Sequence, residues 1–209
     1  MKKIILHLCA DTGSDTKPYQ DDPDYEVRLI GSDIGVENYH VNEPIYGIFA
    51  NPVCTEFSTL RRHPKLRPSN PEDGMFLVRE CQRIIKEAQQ FGELTFWVIE
   101  NPATGSLRKY IGAPTFTYQP WEFGSPWTKR TALWGKFNIP KKIYDRWEDV
   151  PKYPLPHVRP NRRPSLAFMH KSAYEWIPEF QVLPRPQSDM EFRSLCSQKF
   201  AQAFKEANQ

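Results

Sequence analysis

Apolar residues recur along the first half of the chain in short clusters, each closed by polar or turn-forming residues. Residues 3–9 (KIILHLC) make the first run and lead into the polar stretch 10–24. Residues 26–30 (EVRLI) read as a second strand, closed by Gly31, Ser32 and Asp33, and residues 45–50 (IYGIFA) as a third, closed by Asn51 and Pro52. Residues 94–99 (LTFWVI) make a fourth, closed by Glu100, Asn101 and Pro102. Runs without alternation belong to strands covered on both faces, as in a parallel sheet flanked by helices. Between the third and fourth runs, Val78, Cys81, Ile84, Ile85, Ala88 and Phe91 fall on one helical face, which predicts a helix over 71–91 stopped by Gly92. The order predicts a doubly wound, Rossmann-like α/β domain, in which ligands bind at the carboxyl ends of the strands.

The second half changes character. Nine of the twenty prolines lie between Pro140 and Pro186. Proline fixes φ and supplies no backbone N–H, so residues 138–187 read as an extended, loop-rich insertion. A final amphipathic helix is expected over 197–207, with Phe200, Ala203, Phe204 and Ala207 on one face and Ser197 as its N-cap. The expected organisation is a catalytic domain over 1–137, a small Pro-rich segment over 138–187, and a helix over 188–209 returning to the first domain.

Composition narrows the class. A chain of 209 residues with 39% hydrophobic and 13% aromatic residues has enough apolar material for one full-sized domain. No apolar run reaches the roughly 18–20 residues needed to span a bilayer. The amino terminus lacks the features of a signal peptide. The cysteines at 9, 54, 81 and 196 have no CxxC spacing, which argues against structural zinc and suits thiols in a reducing compartment. The expectation is a soluble cytoplasmic monomer without metal or membrane. The net charge of +3 says little, but eleven Lys or Arg stand against three acids from Lys129 to Lys171, and Arg61, Arg62, Lys65 and Arg67 form a second basic cluster. A one-sided basic surface suits a phosphate backbone; ordinary solvated side chains account for the charges equally well.

Cys54 follows a buried strand within Asn51-Pro52-Val53-Cys54, at the mouth of the expected site. A thiol is a useful nucleophile when it is accessible and partly ionised, which nearby Arg61 or Arg62 would favour. The bland alternative, a buried structural cysteine, is the reading for Cys9, Cys81 and Cys196. Glu100 leaves the next apolar strand, where partial desolvation would raise a carboxyl pKa. A thiolate and an acid converging on one pocket suit addition to an electron-poor ring; Glu100 as a loop cap is the alternative.

These motifs carry a family resemblance. Pro52-Val53-Cys54 followed by Phe57-Ser58 resembles the Pro-Pro-Cys signature of DNA cytosine-5 methyltransferases, and Glu100-Asn101-Pro102 resembles their Glu-Asn-Val signature. Leu8 to Ser14 is similar to the loop that cradles S-adenosylmethionine, and Asp33 matches the acid that holds the cofactor ribose. Phe123 to Thr131 resembles the Tyr-Gly-x-Pro-Gln-x-Arg-x-Arg segment, and Phe192 to Ser197 the Tyr-Arg-Gln-x-Gly-Asn segment. The chain departs from the pattern at Asp11, Val53, Trp127, Lys129, Thr131, Cys196 and Ser197, and looks like a compact, divergent, phage-like member.

The resemblance implies an S-adenosylmethionine-dependent enzyme acting on DNA, in the host cytoplasm if phage-encoded. It implies catalysis by Cys54 and Glu100, and cofactor contacts from Ala10, Asp11, Thr12, Gly13, Ser14, Asp33, Ile34, Asn51, Pro52 and Ser197. Substrate contacts would come from Asn101, Ser58, Arg61, Arg62, Lys65, Arg67, Lys129 and Arg130. Three other readings remain open from the residues, one of them the same covalent chemistry with transfer of a group other than methyl. Asn51-Pro52-Val53 partly resembles the motif of exocyclic-amine methyltransferases, and a divergent non-catalytic nucleic-acid-binding protein could share the fold.

Overall fold

The computed structural model describes residues 2–10, 12–58, 69–156 and 161–209. The apolar runs become β1 (Lys3–Leu8), β2 (Tyr25–Ile30), β3 (Gly47–Ala50) and β4 (Phe96–Pro102), joined by β5 (Phe116–Tyr118) and β6 (Thr131–Lys136). They form one sheet in the order β2-β1-β3-β4-β6-β5. β1 runs parallel to β2 and β3, and β3 parallel to β4, whereas β6 is antiparallel to β4. The domain is therefore α/β with a mixed sheet, where the apolar runs alone predict a parallel one.

The reversed strand changes the setting of the second motif. Parallel pairing of β3 with β4 ends at Ala50 and Ile99. Pairing with β6 continues past it, through Glu100 with Leu133, Asn101 with Ala132 and Pro102 with Thr131. Glu100 and Asn101 thus stand on an ordered strand end, where the sequence pattern closes the strand at Ile99. From β1 the chain steps to β2 on one side and later to β3 on the other. That reversal puts a topological switch point at the carboxyl ends of β1 and β3, where such sheets hold ligands.

The predicted helix is α2 (Pro71–Phe91), with Pro71 in its first turn, Glu72 and Asp73 beside its positive end, and Gly92 beyond its last residue. Val78, Cys81, Ile84, Ile85 and Ala88 are buried in one core with Leu6, Leu8, Ile48, Ala50, Ile99 and Trp134. Phe91, predicted on the same face, is 43% exposed because it occupies the final turn, beside Gly92, where the helix ends. The intervening strand residues Ile5, His7, Phe49, Phe96 and Val98 are buried too, so both sheet faces are covered. Among the described residues no helix is long and apolar enough to cross a membrane.

The chain divides into two compact units. One comprises Met1–Asp11, Asp22–Thr117 and Thr131–Phe137; it holds β1 to β4, β6, all of β5 but Tyr118, α2 and the short α3 (Arg108–Ile111). The other comprises Thr12–Asp21, Tyr118–Arg130 and Asn138–Gln209, with α1 (Lys17–Gln20), α4 (Asp189–Ser194) and α5 (Gln198–Ala207). The described part of 138–187 carries short 3-10 turns and neither strand nor α-helix. Its apolar residues Leu166, Met169, Ala173, Ile177 and Phe180 form a core with Trp127, Phe192 and Leu195.

Glu179 organises the start of α5. Its carboxylate accepts from Ser125 Oγ at 2.7 Å, Ser197 Oγ at 3.2 Å and the Gln198 amide at 2.7 Å, while Ser197 caps the helix through the Phe200 amide. Burial raises the Glu179 pKa above its ordinary 4.5, opposed by the Ser125 hydroxyl, the amide and charge of Lys199, and the Gln198 amide. A folded-state pKa above the unfolded one means that the folded protein holds this proton more tightly. The contribution of Glu179 to stability therefore declines as pH rises from about 4.5 through the folded value. Glu179→Gln should flatten that part of a stability–pH profile measured by urea unfolding. It should also cost about 1–3 kcal/mol at neutral pH, because the amide presents N–H toward donors.

Candidate functional site

Asn51 and Pro52 leave β3 directly, and the segment that follows is anchored at Phe57, which is 2% exposed in the core of the sheet unit. The Phe57 amide donates to the Cys54 carbonyl at 3.0 Å, closing a turn, and its carbonyl accepts from the Ser106 amide at 2.9 Å. Gly74 of α2 leaves room for the Phe57 ring, since a Cβ there would lie 2.8 Å from it. Cys54 is thereby displayed on a braced turn, half-buried, with Val53 exposed beside it.

Side-chain hydrogen bonds join the two chemical motifs across 49 residues. Asn101 Nδ2 donates to the Pro52 carbonyl at 2.9 Å, and Asn51 Nδ2 donates to Glu100 Oε2 at 3.4 Å. Asn101 is 1% exposed, and among the described residues its Oδ1 has no hydrogen-bond partner. An orphaned buried acceptor costs about 1–3 kcal/mol unless a donor reaches it. On the other side of Asn51, Oδ1 lies 3.0 Å from His7 Nε2. His7, 2% exposed on β1, did not figure among the sequence candidates. Its signal was present: one polar side chain inside the run KIILHLC, in a strand covered on both faces.

The expected cofactor residues divide between the two units. In the sheet unit, Ala10 is buried and its amide donates to the Ile30 carbonyl, while Asp33 and Ile34 are exposed in the turn after β2. Gly31 permits this closeness: a Cβ there would stand 2.7 Å from the Ala10 carbonyl oxygen and 3.1 Å from Asp33 Oδ1. In the other unit, Gly13 adopts φ 64° and its carbonyl accepts from the Thr16 amide and from Gln20 Nε2. Thr12 Oγ1 donates to Ser14 Oγ, which also accepts from the Cys196 amide at 3.0 Å, so the Gly13 segment meets the segment that begins α5 with Ser197. Asp11 lies outside the described residues.

Cys9 takes a left-handed backbone, φ 55°, with its Sγ 3.8 Å from that of buried Cys81. That contact, reinforced by burial, pushes the Cys81 thiol well above its usual range. Cys196 is buried as well. Of the substrate-side candidates, Ser58 is half-buried and Arg130 exposed. Lys129 Nζ donates to the carbonyls of Ser194 and Leu195, at the end of α4. Arg61, Arg62, Lys65 and Arg67 lie outside the described residues. Among the described residues no cluster of three or more His, Cys, Asp or Glu could hold a metal ion.

No protein-family model and no curated protein matches the chain.

Proposed function

We propose that the protein is an S-adenosylmethionine-dependent DNA cytosine-5 methyltransferase on a Rossmann-like methyltransferase fold. The observation that carries this reading is the clamp of Asn101 on the Pro52 carbonyl, which fixes the Cys54 turn against the strand end bearing Glu100. A binding protein has no use for a thiol and a carboxyl held in register in this way.

The residues divide the work. Carbon 5 of cytosine is a poor nucleophile, and attack of the Cys54 thiolate on carbon 6 makes it enamine-like. Glu100, hydrogen-bonded to N3 and the exocyclic amine, stabilises the charge that this attack places on the ring. S-adenosylmethionine supplies the electrophilic methyl group. Once carbon 5 is methylated, its proton would pass to water and the electron pair left behind would form the ring double bond as the carbon 6–sulfur bond breaks, expelling Cys54 as thiolate. The base must be flipped out or single-stranded to reach the site. Basic residues on DNA phosphates would make binding weaken steeply with salt.

The switch-point location, the exposed Asp33 carboxylate after β2 and the close backbone approach that Gly31 permits fit an adenosine-containing cofactor. Asp33 would accept hydrogen bonds from the ribose hydroxyls. Asp33→Ala should weaken S-adenosylmethionine binding by about 1.5–3 kcal/mol in calorimetry, the range for hydrogen bonds to a charged group; unchanged affinity would remove Asp33 from the cofactor site.

The exocyclic-amine reading is less well supported. It needs the Asn51 side chain to receive the substrate amine, yet Asn51 Oδ1 lies at hydrogen-bond distance from His7 and its Nδ2 is turned to Glu100. Mass spectrometry of nucleosides from DNA incubated with the protein and S-adenosylmethionine tests the proposal. 5-Methylcytosine supports it, N4-methylcytosine or N6-methyladenine selects the other chemistry, and unmodified DNA leaves the non-catalytic nucleic-acid-binding reading.

A further inference from the structure

His7 has no place in the mechanism above, yet it is a buried polar side chain in the middle of an apolar strand, two hydrogen bonds from the carboxyl that the reaction uses. Its Nε2 lies 3.0 Å from Asn51 Oδ1, and Asn51 Nδ2 lies 3.4 Å from Glu100 Oε2. The Asn51 backbone is pinned as well, its amide donating to the Leu8 carbonyl at 3.0 Å.

An asparagine side chain has one accepting and one donating end, and a neutral histidine has one N–H, so the two are coupled. With the proton on Nε2, His7 donates to Asn51 Oδ1, and the Asn51 amide must present its N–H to Glu100. With the proton on Nδ1, His7 would accept at Nε2, the amide would turn over, and its oxygen would face the carboxylate. That arrangement is repulsive unless Glu100 carries its proton on Oε2.

We propose that His7 is a positioning residue for Glu100. As the Nε2–H tautomer it orients the Asn51 amide so that Nδ2 donates to Oε2 of Glu100 and fixes the carboxyl that shares its proton with the pyrimidine ring. This role rests on the methyltransferase reading.

Nitrogen-15 NMR of the imidazole rings reads the tautomer without any activity, with the His7 signal identified by its loss in His7→Gln. The expected result is a neutral ring protonated on Nε2. Steady-state methylation then separates positioning from packing. His7→Leu fills the space without a donor and should lower kcat about 10–100-fold, the equivalent of one hydrogen bond to a charged group, with KM for DNA and cofactor nearly unchanged. His7→Gln returns an N–H donor and should recover most of kcat. A ring protonated on Nδ1 in an enzyme that methylates cytosine overturns the relay alone. Unaltered kcat in His7→Leu, or equal loss in the Leu and Gln variants, also overturns it. A wild type that methylates nothing while His7 is protonated on Nε2 overturns the methyltransferase reading, and this role with it.

Discussion

DNA carrying 5-fluorocytosine is expected to trap the protein in a complex that survives denaturation, provided that S-adenosylmethionine and Cys54 are both present. Fluorine replaces the proton that must leave carbon 5, so the methylated adduct cannot eliminate and the Cys54–carbon 6 bond persists. Cys54→Ser should still bind DNA, because the hydroxyl preserves shape at the turn, but should neither trap nor methylate. Glu100→Gln should bind and react about 10²–10⁴-fold more slowly, since an amide cannot share a proton with the ring as a carboxyl does. The measurements are gel mobility under denaturing conditions and single-turnover methylation. Methylation of cytosine by Cys54→Ser without loss of rate would falsify the covalent mechanism and return the exocyclic-amine reading to first place.

The largest effect on stability is expected from Gly135→Ala. Gly135 pairs with Val98 in the antiparallel β4–β6 ladder and has φ 147°, a conformation that L side chains rarely adopt. A Cβ there would overlap the carbonyl oxygen of Trp97 and lie 3.0 Å from its carbonyl carbon. Both atoms belong to backbone, so relief requires β6 to move away from β4. The expected cost is about 4 kcal/mol or more, or roughly 8–16 °C in melting temperature for a chain of this size. Gly112→Ala is the control: φ is 86°, but nothing lies within 4 Å of the new Cβ, so only the conformational cost, about 1–3 kcal/mol, applies. Thermal melts of the two variants separate the clash from the dihedral. Equal shifts would mean that β6 yields easily. The ladder continues from Val98 to Glu100 and Asn101, so Gly135→Ala should also lower methylation at temperatures where the variant remains folded.

Much of the sheet unit follows from local pattern. The helix over 71–91 and its stop at Gly92 were legible because a 3.6-residue apolar period needs only one buried face, and a glycine ends it. β1, β3 and β4 were legible because strands buried on both faces read as nearly continuous apolar runs, whereas edge strand β2 keeps Glu26 and Arg28 and was read from its turn residues Gly31, Ser32 and Asp33. Ser197 as the cap of the last helix was legible because a side-chain oxygen at that place meets an amide left over by the helix itself. Phe91 was misplaced because periodicity does not say where the covering surface ends.

What the sequence did not contain is whatever depends on a partner distant along the chain. β5 has three residues, and β6 carries a glycine whose φ makes sense only against Trp97, so neither has a pattern of its own. Glu100 and Asn101 are strand residues only because β6 extends their ladder. Glu179 looks like any surface acid in a proline-rich stretch until Ser125, Ser197 and the start of α5 supply its donors. The sequence by itself determined β1 to β4, α2 and α5, since those follow from local burial, and it offered Cys54 and Glu100 as candidates through residue chemistry. Only the tertiary structure decided that Asn101 grips Pro52 and that His7 and Glu100 share Asn51. Those hydrogen bonds span 44 to 49 residues, and nothing local encodes which distant group will satisfy a buried donor.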